Sequence, residues 1–333
     1  METTIRIDDH SSIAEARRAA ATLGHPMGLT PELLAQASLV ISELCTNILK
    51  YADRGELLLS TLCADGTAYG MDIVALDRGQ GIADLDAAVT DGFSTGGSLG
   101  IGLGTMRRAA AVFDVYSTPG GGTAMMVRIL EKKVAAPADD AFVLGSRMTP
   151  IRIETVSGDS WSVLRFEQSL AVAVVDGLGH GPKAAEAAHA AVDAFQRSVR
   201  HAGPVQAIQT AHQALLSTRG AVMAVASIDA KSQSLRFAGL GNIGAVVYTH
   251  GVAVRLASSD GTVGYGARKA RECSVDWLPE STLILNTDGL SSRWNLAKHP
   301  RLLACHPVLI AAVLHRDFAR NTDDATVVVV RGH

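Results

Sequence analysis

Four aspartates, Asp159, Asp176, Asp288 and Asp323, stand at the ends of short apolar runs. The clearest is Asp176. It closes the run Leu170, Ala171, Val172, Ala173, Val174, Val175 and is followed by Gly177, Gly179 and Gly181. A β-branched apolar run of that length reads as a buried strand, and glycines beyond it allow a tight turn and a close approach of backbone to a ligand. One Asp-Gly after one strand reads first as the cap of the helix starting near Pro182; repetition at other strand ends favours shared chemistry. Crowded carboxylates repel and need cations to hold them. Mg2+ and Mn2+ prefer oxygen ligands and keep several waters, and two such ions about 3.5–4 Å apart suit in-line attack of water on a phosphate ester. That chemistry needs no cysteine nucleophile and no Ser–His pair. The histidines, His180 beside Asp176 included, fall mostly on helices or loops and read as structural or solvated.

A second constellation lies in the first 130 residues. Glu43 and Asn47 are four apart on a long apolar helix pattern and so share one face; on spacing alone that is first a solvated pair. A strand pattern over 69–76 runs into Asp77-Arg78-Gly79-Gln80-Gly81. A carboxylate there could accept a hydrogen bond from the amino group of a bound base, with the ligand lying against the glycines. Residues 91–104, DGFSTGGSLGIGLG, are too rich in glycine and hydroxyls for a core element. They suit a loop leading into a helix over 105–113, whose backbone N–H groups can bind phosphate.

The elements that must position these groups follow from pattern. In the first half an edge strand is expected at 5–7, helices at 12–23 and 31–51, strands at 56–62 and 69–76, and a hairpin from 114–117 and 123–130. Thr30 and Pro31 mark the start of the second helix. Residues 131–150 carry charges and prolines and read as a linker passing into the next domain. Beyond it, strands are expected at 151–156, 163–166, 170–175, 221–229, 234–240, 245–249, 252–256, 282–286 and 325–331, with helices at 182–201, 204–216 and 306–316. The expected domains are 1–132 and 149–333, joined by a linker at 133–148. A chain of 333 residues agrees with two domains. A net charge of −3 excludes a basic footprint for nucleic acid. No uninterrupted apolar run approaches the length of a membrane span, and the start has no signal-peptide pattern. Cys45, Cys63, Cys273 and Cys305 lie far apart without metal-ligand spacing and read as reduced packing residues of a cytoplasmic protein.

The N-terminal motifs resemble the GHKL ATP-binding fold, nearest to serine kinases of the RsbT and RsbW type. The resemblance rests on Ser42-Glu43-Leu44-Cys45-Thr46-Asn47, on Asp77-x-Gly79-x-Gly81 and on the glycine-rich stretch ending at Gly104. It implies that Glu43 is the base toward a substrate hydroxyl and that Asn47 holds Mg2+. It implies that Asp77 reads the adenine of ATP with Gly79 and Gly81 lining that pocket. Gly100, Gly102 and Gly104 would form the phosphate lid, and Thr123 would stand near the adenine end. The second half resembles type-2C serine/threonine phosphatases of the short SpoIIE and RsbX branch. The matching motifs are Ser157-Gly158-Asp159, Asp176-Gly177-Leu178-Gly179-His180-Gly181, Gly241-Asn242, Thr287-Asp288-Gly289 and Asp323-Asp324-Ala325-Thr326. The family pattern implies that Asp176, the Gly177 carbonyl and Asp288 hold two Mn2+ or Mg2+ ions, with Asp159 and Asp323 completing the set and Asp324 the lesser member of its pair. Larger members carry a phosphate-binding arginine near the first aspartate; here Arg152 is the nearest upstream arginine.

The fold class expected is α+β: an N-terminal GHKL α/β sandwich followed by a phosphatase-like β-sandwich flanked by helices. The expected function is a switch-protein serine/threonine kinase fused to a metal-dependent phosphoprotein phosphatase. Both would act on a STAS-domain partner in bacterial stress or partner-switching signalling, with a sigma factor or downstream regulator as a further partner. The competing reading keeps the phosphatase and makes the N-terminal half a non-catalytic ATP-binding module that holds a STAS protein or sigma factor. Glu43 argues against it, because a pure ATP-binder needs Asn47 and Asp77 but no general base.

Overall fold

The computed structural model describes residues 2–64, 67–85, 101–131, 141–166, 168–199, 203–266 and 269–333. The chain divides into two compact units, Met1–Ala138 and Asp139–His333.

In the first unit β1 (Glu2–Ile7), β2 (Gly55–Ala64), β3 (Thr67–Asp77), β4 (Val112–Ser117) and β5 (Thr123–Leu130) form one antiparallel sheet, ordered β1-β2-β3-β5-β4. Alternation sorts its faces. Met71, Ile73 and Ala75 of β3 join Val127 and Ile129 of β5 in one buried cluster with α1 (Ser11–Gly24) and α2 (Pro31–Tyr51). α2 starts where capping chemistry dictates: the Thr30 hydroxyl accepts from the Leu33 N–H at 3.3 Å, with Pro31 in the first turn. Glu131 fixes the same helix start, accepting from the Thr30 N–H at 2.7 Å and its hydroxyl at 3.0 Å. α2 is long and apolar enough to cross a membrane by composition, with mean hydropathy 1.2. In this fold, however, Leu33, Leu34, Ala37, Val40, Ile41, Leu44 and Ile48 are buried, and Glu32, Glu43 and Lys50 are exposed.

The second unit is a sandwich of two antiparallel sheets. One is ordered β13-β10-β9-β8-β7 and the other β12-β11-β14-β15-β6. The strands are β6 (Phe142–Thr149), β7 (Asp159–Phe166), β8 (Ser169–Gly177), β9 (Ala221–Asp229), β10 (Ser234–Leu240), β11 (Gly244–Thr249), β12 (Val252–Arg255), β13 (Arg271–Asp276), β14 (Thr282–Asn286) and β15 (Ala325–Gly332). β8 explains why its sequence is apolar throughout. Leu170, Val172 and Val174 face the sandwich core with Leu283, Leu285, Val328 and Val330. Ala171, Ala173 and Val175 pack under α4 (Pro182–Ser198) and α5 (Pro204–Ala214). Both faces of the strand are buried, so no position favours a polar residue until its end. α6 (Pro307–Phe318) covers the other sheet along β6 and β15.

Several expectations are corrected. Residues 151–156 form no strand. They turn back on themselves, with the Glu154 N–H donating to the Ile151 carbonyl at 2.9 Å, and Ile153 is 77% exposed. The first strand of this unit is instead β6, inside the stretch expected as linker; it is held by register with β15 from Phe142↔Gly332 to Thr149↔Ala325. The helix expected at 105–113 is α3 (Ile101–Ala109), because Val112 and Phe113 already pair with Arg128 and Val127. β13 is a strand beyond those expected: its alternating RECSVD pattern is that of an exposed edge strand paired only with β10. No disulfide joins the four cysteines; Cys45 and Cys305 are buried, whereas Cys63 is exposed.

On the N-terminal sheet Asp72 of β3 lies directly across from Arg128 of β5. Asp72 is 3% exposed, and the two side chains bond bidentately, Nε to Oδ1 at 2.7 Å and Nη2 to Oδ2 at 2.8 Å. Breaking a buried pair from one side strands a charge, while replacing both partners does not. Arg128→Met alone should therefore cost about 3–5 kcal/mol, and Asp72→Leu with Arg128→Met should recover most of that loss. Urea midpoints of the three proteins test this.

Candidate functional site

The open end of the C-terminal sandwich gathers aspartates from both sheets. Asp159 opens β7 and Asp176 nears the end of β8, and the two are direct partners in the ladder. Direct cross-strand partners share a face and lie about 4.5–5.5 Å apart. The facing sheet contributes Asp288 just after β14 and Asp323 just before β15. Backbone contacts hold these strand ends together. A Cβ on Gly177 would lie 2.1 Å from the Ala184 carbonyl oxygen, and one on Gly289 only 1.8 Å from the Asp324 carbonyl oxygen. Only glycine lets α4 close over the Asp176 strand and lets the Asp288 turn press on β15.

Hydroxyls and amides then fix the carboxylates. Asp159 is 1% exposed, and its Oδ2 accepts from Thr287 Oγ1 and from Thr326 Oγ1, each at 2.8 Å. The Thr326 N–H donates to Thr287 Oγ1 at 2.9 Å, which ties β14 to β15. Asp159 Oδ1 is buried with no hydrogen-bond partner. Asp288 accepts from the Asn242 amide at 2.7 Å. Asp323 accepts from the Asp324 N–H at 2.9 Å. Asp324 serves the backbone instead, and its two oxygens accept from the Ile151 and Gly158 N–H groups at 2.8 and 2.9 Å, pinning the turns on either side. Thr287, Thr326 and Asn242 lay inside motifs read from sequence, but their partners belong to distant strands. His180 bonds Glu154 at 2.9 Å. Arg152 is exposed in the turn after Ile151, whereas Arg219 Nη1 lies 3.1 Å from where a Cβ on Gly179 would stand.

The electrostatics follow from this crowding. Burial pushes the Asp159 carboxyl up to about 7; the threonine hydroxyls oppose the shift, and Asp324 and Asp323 add to it. Burial, then repulsion from Asp159, Asp288, Asp323 and Asp324, pushes Asp176 up to about 8. Asp323 is raised by burial first, with Asp288 and Asp324 adding to it. Among the described residues no three His, Cys, Asp or Glu side chains converge as a ready-made cation cage. The donors nevertheless fit Mg2+ or Mn2+: they are all oxygens, they repel one another, one buried oxygen lacks a partner, and ions that keep several waters need only one or two carboxylates each.

In the N-terminal unit Asp77 and Thr123 come together. Asp77 Oδ1 accepts from the Gly79 N–H at 2.8 Å and the Thr123 N–H at 3.0 Å. The glycines there have a structural use of their own. A Cβ on Gly79 would meet the Tyr51 carbonyl oxygen at 2.6 Å, and one on Gly81 the Thr118 carbonyl oxygen at 2.1 Å. The loop after β3 thus rests on the last turn of α2, one turn beyond Asn47. Glu43 is exposed and Asn47 half-buried. Gly102 and Gly104 belong to the first turn of α3 rather than to a loop, and Gly100 lies outside the described residues.

The raised carboxyls give the cation-free protein a signed pH dependence. A folded pKa above the unfolded value contributes stability that is complete below about pH 4 and is lost as pH rises through about 7 and 8. In EDTA the protein should melt higher at pH 6 than at pH 8.5, and the double variant Asp159→Asn/Asp176→Asn should lose most of that slope. Added Mg2+ or Mn2+ should raise the melting temperature more at pH 8.5, where protons no longer compete. An identical slope in wild type and double variant would clear these carboxyls of responsibility.

Known proteins bear on both units. The family Stage II sporulation protein E (SpoIIE) matches residues 167–333, and the histidine kinase-like ATPase domain family matches residues 8–128. Serine/threonine-protein kinase RsbT of Bacillus subtilis (strain 168) is 34% identical over 122 residues, 37% of this chain and 91% of that protein. A structure described under "The bacterial stressosome: a modular system that has been adapted to control secondary messenger signaling" has TM-score 0.53 and 28% identity, covering 57% of this chain and 99% of its own. The phosphatase domain of SpoIIE from Bacillus subtilis with a fragment of its regulatory domain covers 96% of this chain and 93% of its own, at TM-score 0.50 and 17% identity; it speaks to the fold alone. The chain therefore belongs to the SpoIIE family, joins that family's type-2C serine/threonine phosphatase domain to an N-terminal ATPase-type domain homologous to the RsbT serine/threonine kinase, and is an enzyme.

Proposed function

We propose that this chain both adds and removes phosphate on a serine or threonine of a STAS-domain switch protein, in bacterial partner-switching signalling. The observation that carries the phosphatase half is the carboxylate pair Asp159 and Asp176, opposed across adjacent strands, with one buried oxygen unpartnered. Asp176, the Gly177 carbonyl, Asp288, Asp159 and Asp323 would hold two Mn2+ or Mg2+ ions. When bound, such ions supply an acidified water and neutralise charge on the phosphoryl group. The chain's own part is to hold the carboxylates in place: Thr287 and Thr326 orient Asp159, and Asn242 orients Asp288. In the overall reaction a water oxygen joins phosphorus, the phosphorus–Oγ bond breaks, and the freed serine oxygen takes up a proton.

In the kinase half, residues 1–132, Glu43 would accept the proton of the substrate hydroxyl as its oxygen displaces ADP from the γ-phosphorus of ATP. Asn47 would hold the Mg2+ of the nucleotide, and Asp77, Gly79, Gly81 and Thr123 would receive the adenine. Gly100, Gly102 and Gly104 would cover the phosphates. Likeness to RsbT over nearly the whole of that protein supports this half. So does the fixed Asp77 carboxylate beside the last turn of the helix that carries Glu43 and Asn47. ATP as substrate and four unbridged cysteines accord with a cytoplasmic enzyme.

The test uses the STAS-domain protein encoded nearest to it, with ATP, Mg2+ and Mn2+, followed by intact mass. Asp176→Asn should drive the partner to its phosphorylated form, and Glu43→Ala should leave it bare. If no variant ever adds phosphate, the N-terminal half is a binding module attached to a phosphatase.

A further inference from the structure

A pocket of about 240 Å³ adjoins the aspartate cluster, with Asp288 and Asn242 in its wall. It lies between the β11–β12 edge of the second sheet and the turn that follows Asp288, and Leu290 and the buried Trp294 line it. Two exposed arginines, Arg255 and Arg320, also line it, and neither guanidinium enters an ion pair or side-chain hydrogen bond among the described residues. Their backbones are fixed. Arg255 stands across from Val246 in the β11–β12 ladder. The Arg320 N–H donates to the Gly289 carbonyl at 2.8 Å, and the Ser291 N–H donates to the Phe318 carbonyl at 2.9 Å, so the Arg320 segment is stitched to the turn that carries Asp288. The volume lies below the roughly 300–1,000 Å³ of small-molecule sites and suits one side chain.

We propose that this pocket is an anion subsite for the protein substrate, in which Arg255 and Arg320 grip an acidic side chain close in space to the phosphorylated residue. The inference rests on the phosphatase reading of the neighbouring aspartates, because Asp288 belongs to both walls. Guanidinium forks match carboxylates bidentately, and two of them outside any ion pair favour an anion over any other occupant. Trp294 and Leu290 give the stem of a glutamate an apolar surface. The subsite thus selects substrates whose phosphoserine is flanked by acid, without contacting the scissile phosphate.

The experiment compares wild type, Arg255→Ala, Arg320→Ala and the double variant, with Mn2+, on three probes: p-nitrophenyl phosphate, a phosphoserine peptide flanked by glutamates, and the same peptide flanked by alanines. Wild type should prefer the acidic peptide through KM. Each substitution should raise KM for that peptide about tenfold, the order expected for one charge-assisted contact, while p-nitrophenyl phosphate turnover and the alanine peptide change little. Added salt should erode the preference of wild type. Equal KM for the two peptides overturns the proposal. So does loss of p-nitrophenyl phosphate turnover in the arginine variants, which would put the guanidiniums on the scissile phosphate. Binding of the fluorescently labelled acidic peptide, followed by anisotropy in EDTA, separates the two readings. If wild type hydrolyses none of the probes, the phosphatase reading fails, yet binding weakened by the double variant still supports the subsite and unchanged binding overturns it.

Discussion

Two carboxylates facing each other across adjoining strands, Asp159 buried and Asp176 half-buried, form the constraint on which the C-terminal unit turns. Asp159 and Asp176 could be relaxed by protonation or by positive charge. Without cations protonation relaxes them, since both carboxyls are raised, to about 7 and about 8; bound cations would do so in its place. Two threonine hydroxyls donate to one oxygen of Asp159, which stabilises its ionised form, and leave the other oxygen buried and unmatched. No lysine or arginine pairs with either carboxylate among the bonds of the described residues. The protein thus bears a desolvation cost that a divalent cation would offset.

That arrangement needs both sheets. Asp159 and Asp176 come from one, and the threonines that hold Asp159 come from the end of β14 and the start of β15 in the other. The sandwich core beneath them, dominated by valine, alanine and leucine, sets the spacing between the sheets. Asp324 shows how the same residue type does unlike work one position apart. Its carboxylate is consumed by two backbone N–H groups, while Asp323 stays half-buried beside the cluster. A buried acceptor with two amide donors is a structural clamp, and its chemistry is already spent.

The N-terminal unit uses a similar device. Asp77 is aimed by two backbone N–H groups, one local and one from β5, and its loop closes on the end of α2 through a glycine. Any nucleotide-reading role therefore begins from a carboxylate whose orientation the backbone has already decided. The Asp72–Arg128 pair lies on the same two strands and adds a charged cross-link between β3 and β5.

Sequence alone determined the elements whose periodicity is dictated by burial on both faces: β8, β9, β10 and β14, and the long helix begun by Thr30 and Pro31. It also determined which residue types could do chemistry, because Asp-Gly after an apolar strand is legible wherever it recurs. It could not separate a strand from a turn at 151–156, where isoleucines alternate yet Ile153 points to water, nor find β6 and β13, whose pairing partners lie far along the chain. Partnership was decided by tertiary structure for the same reason. That Thr287 and Thr326 donate to Asp159, or that Asp324 rather than Asp323 is sealed by amides, depends on sheets meeting across more than a hundred residues, and no local spacing encodes such distances.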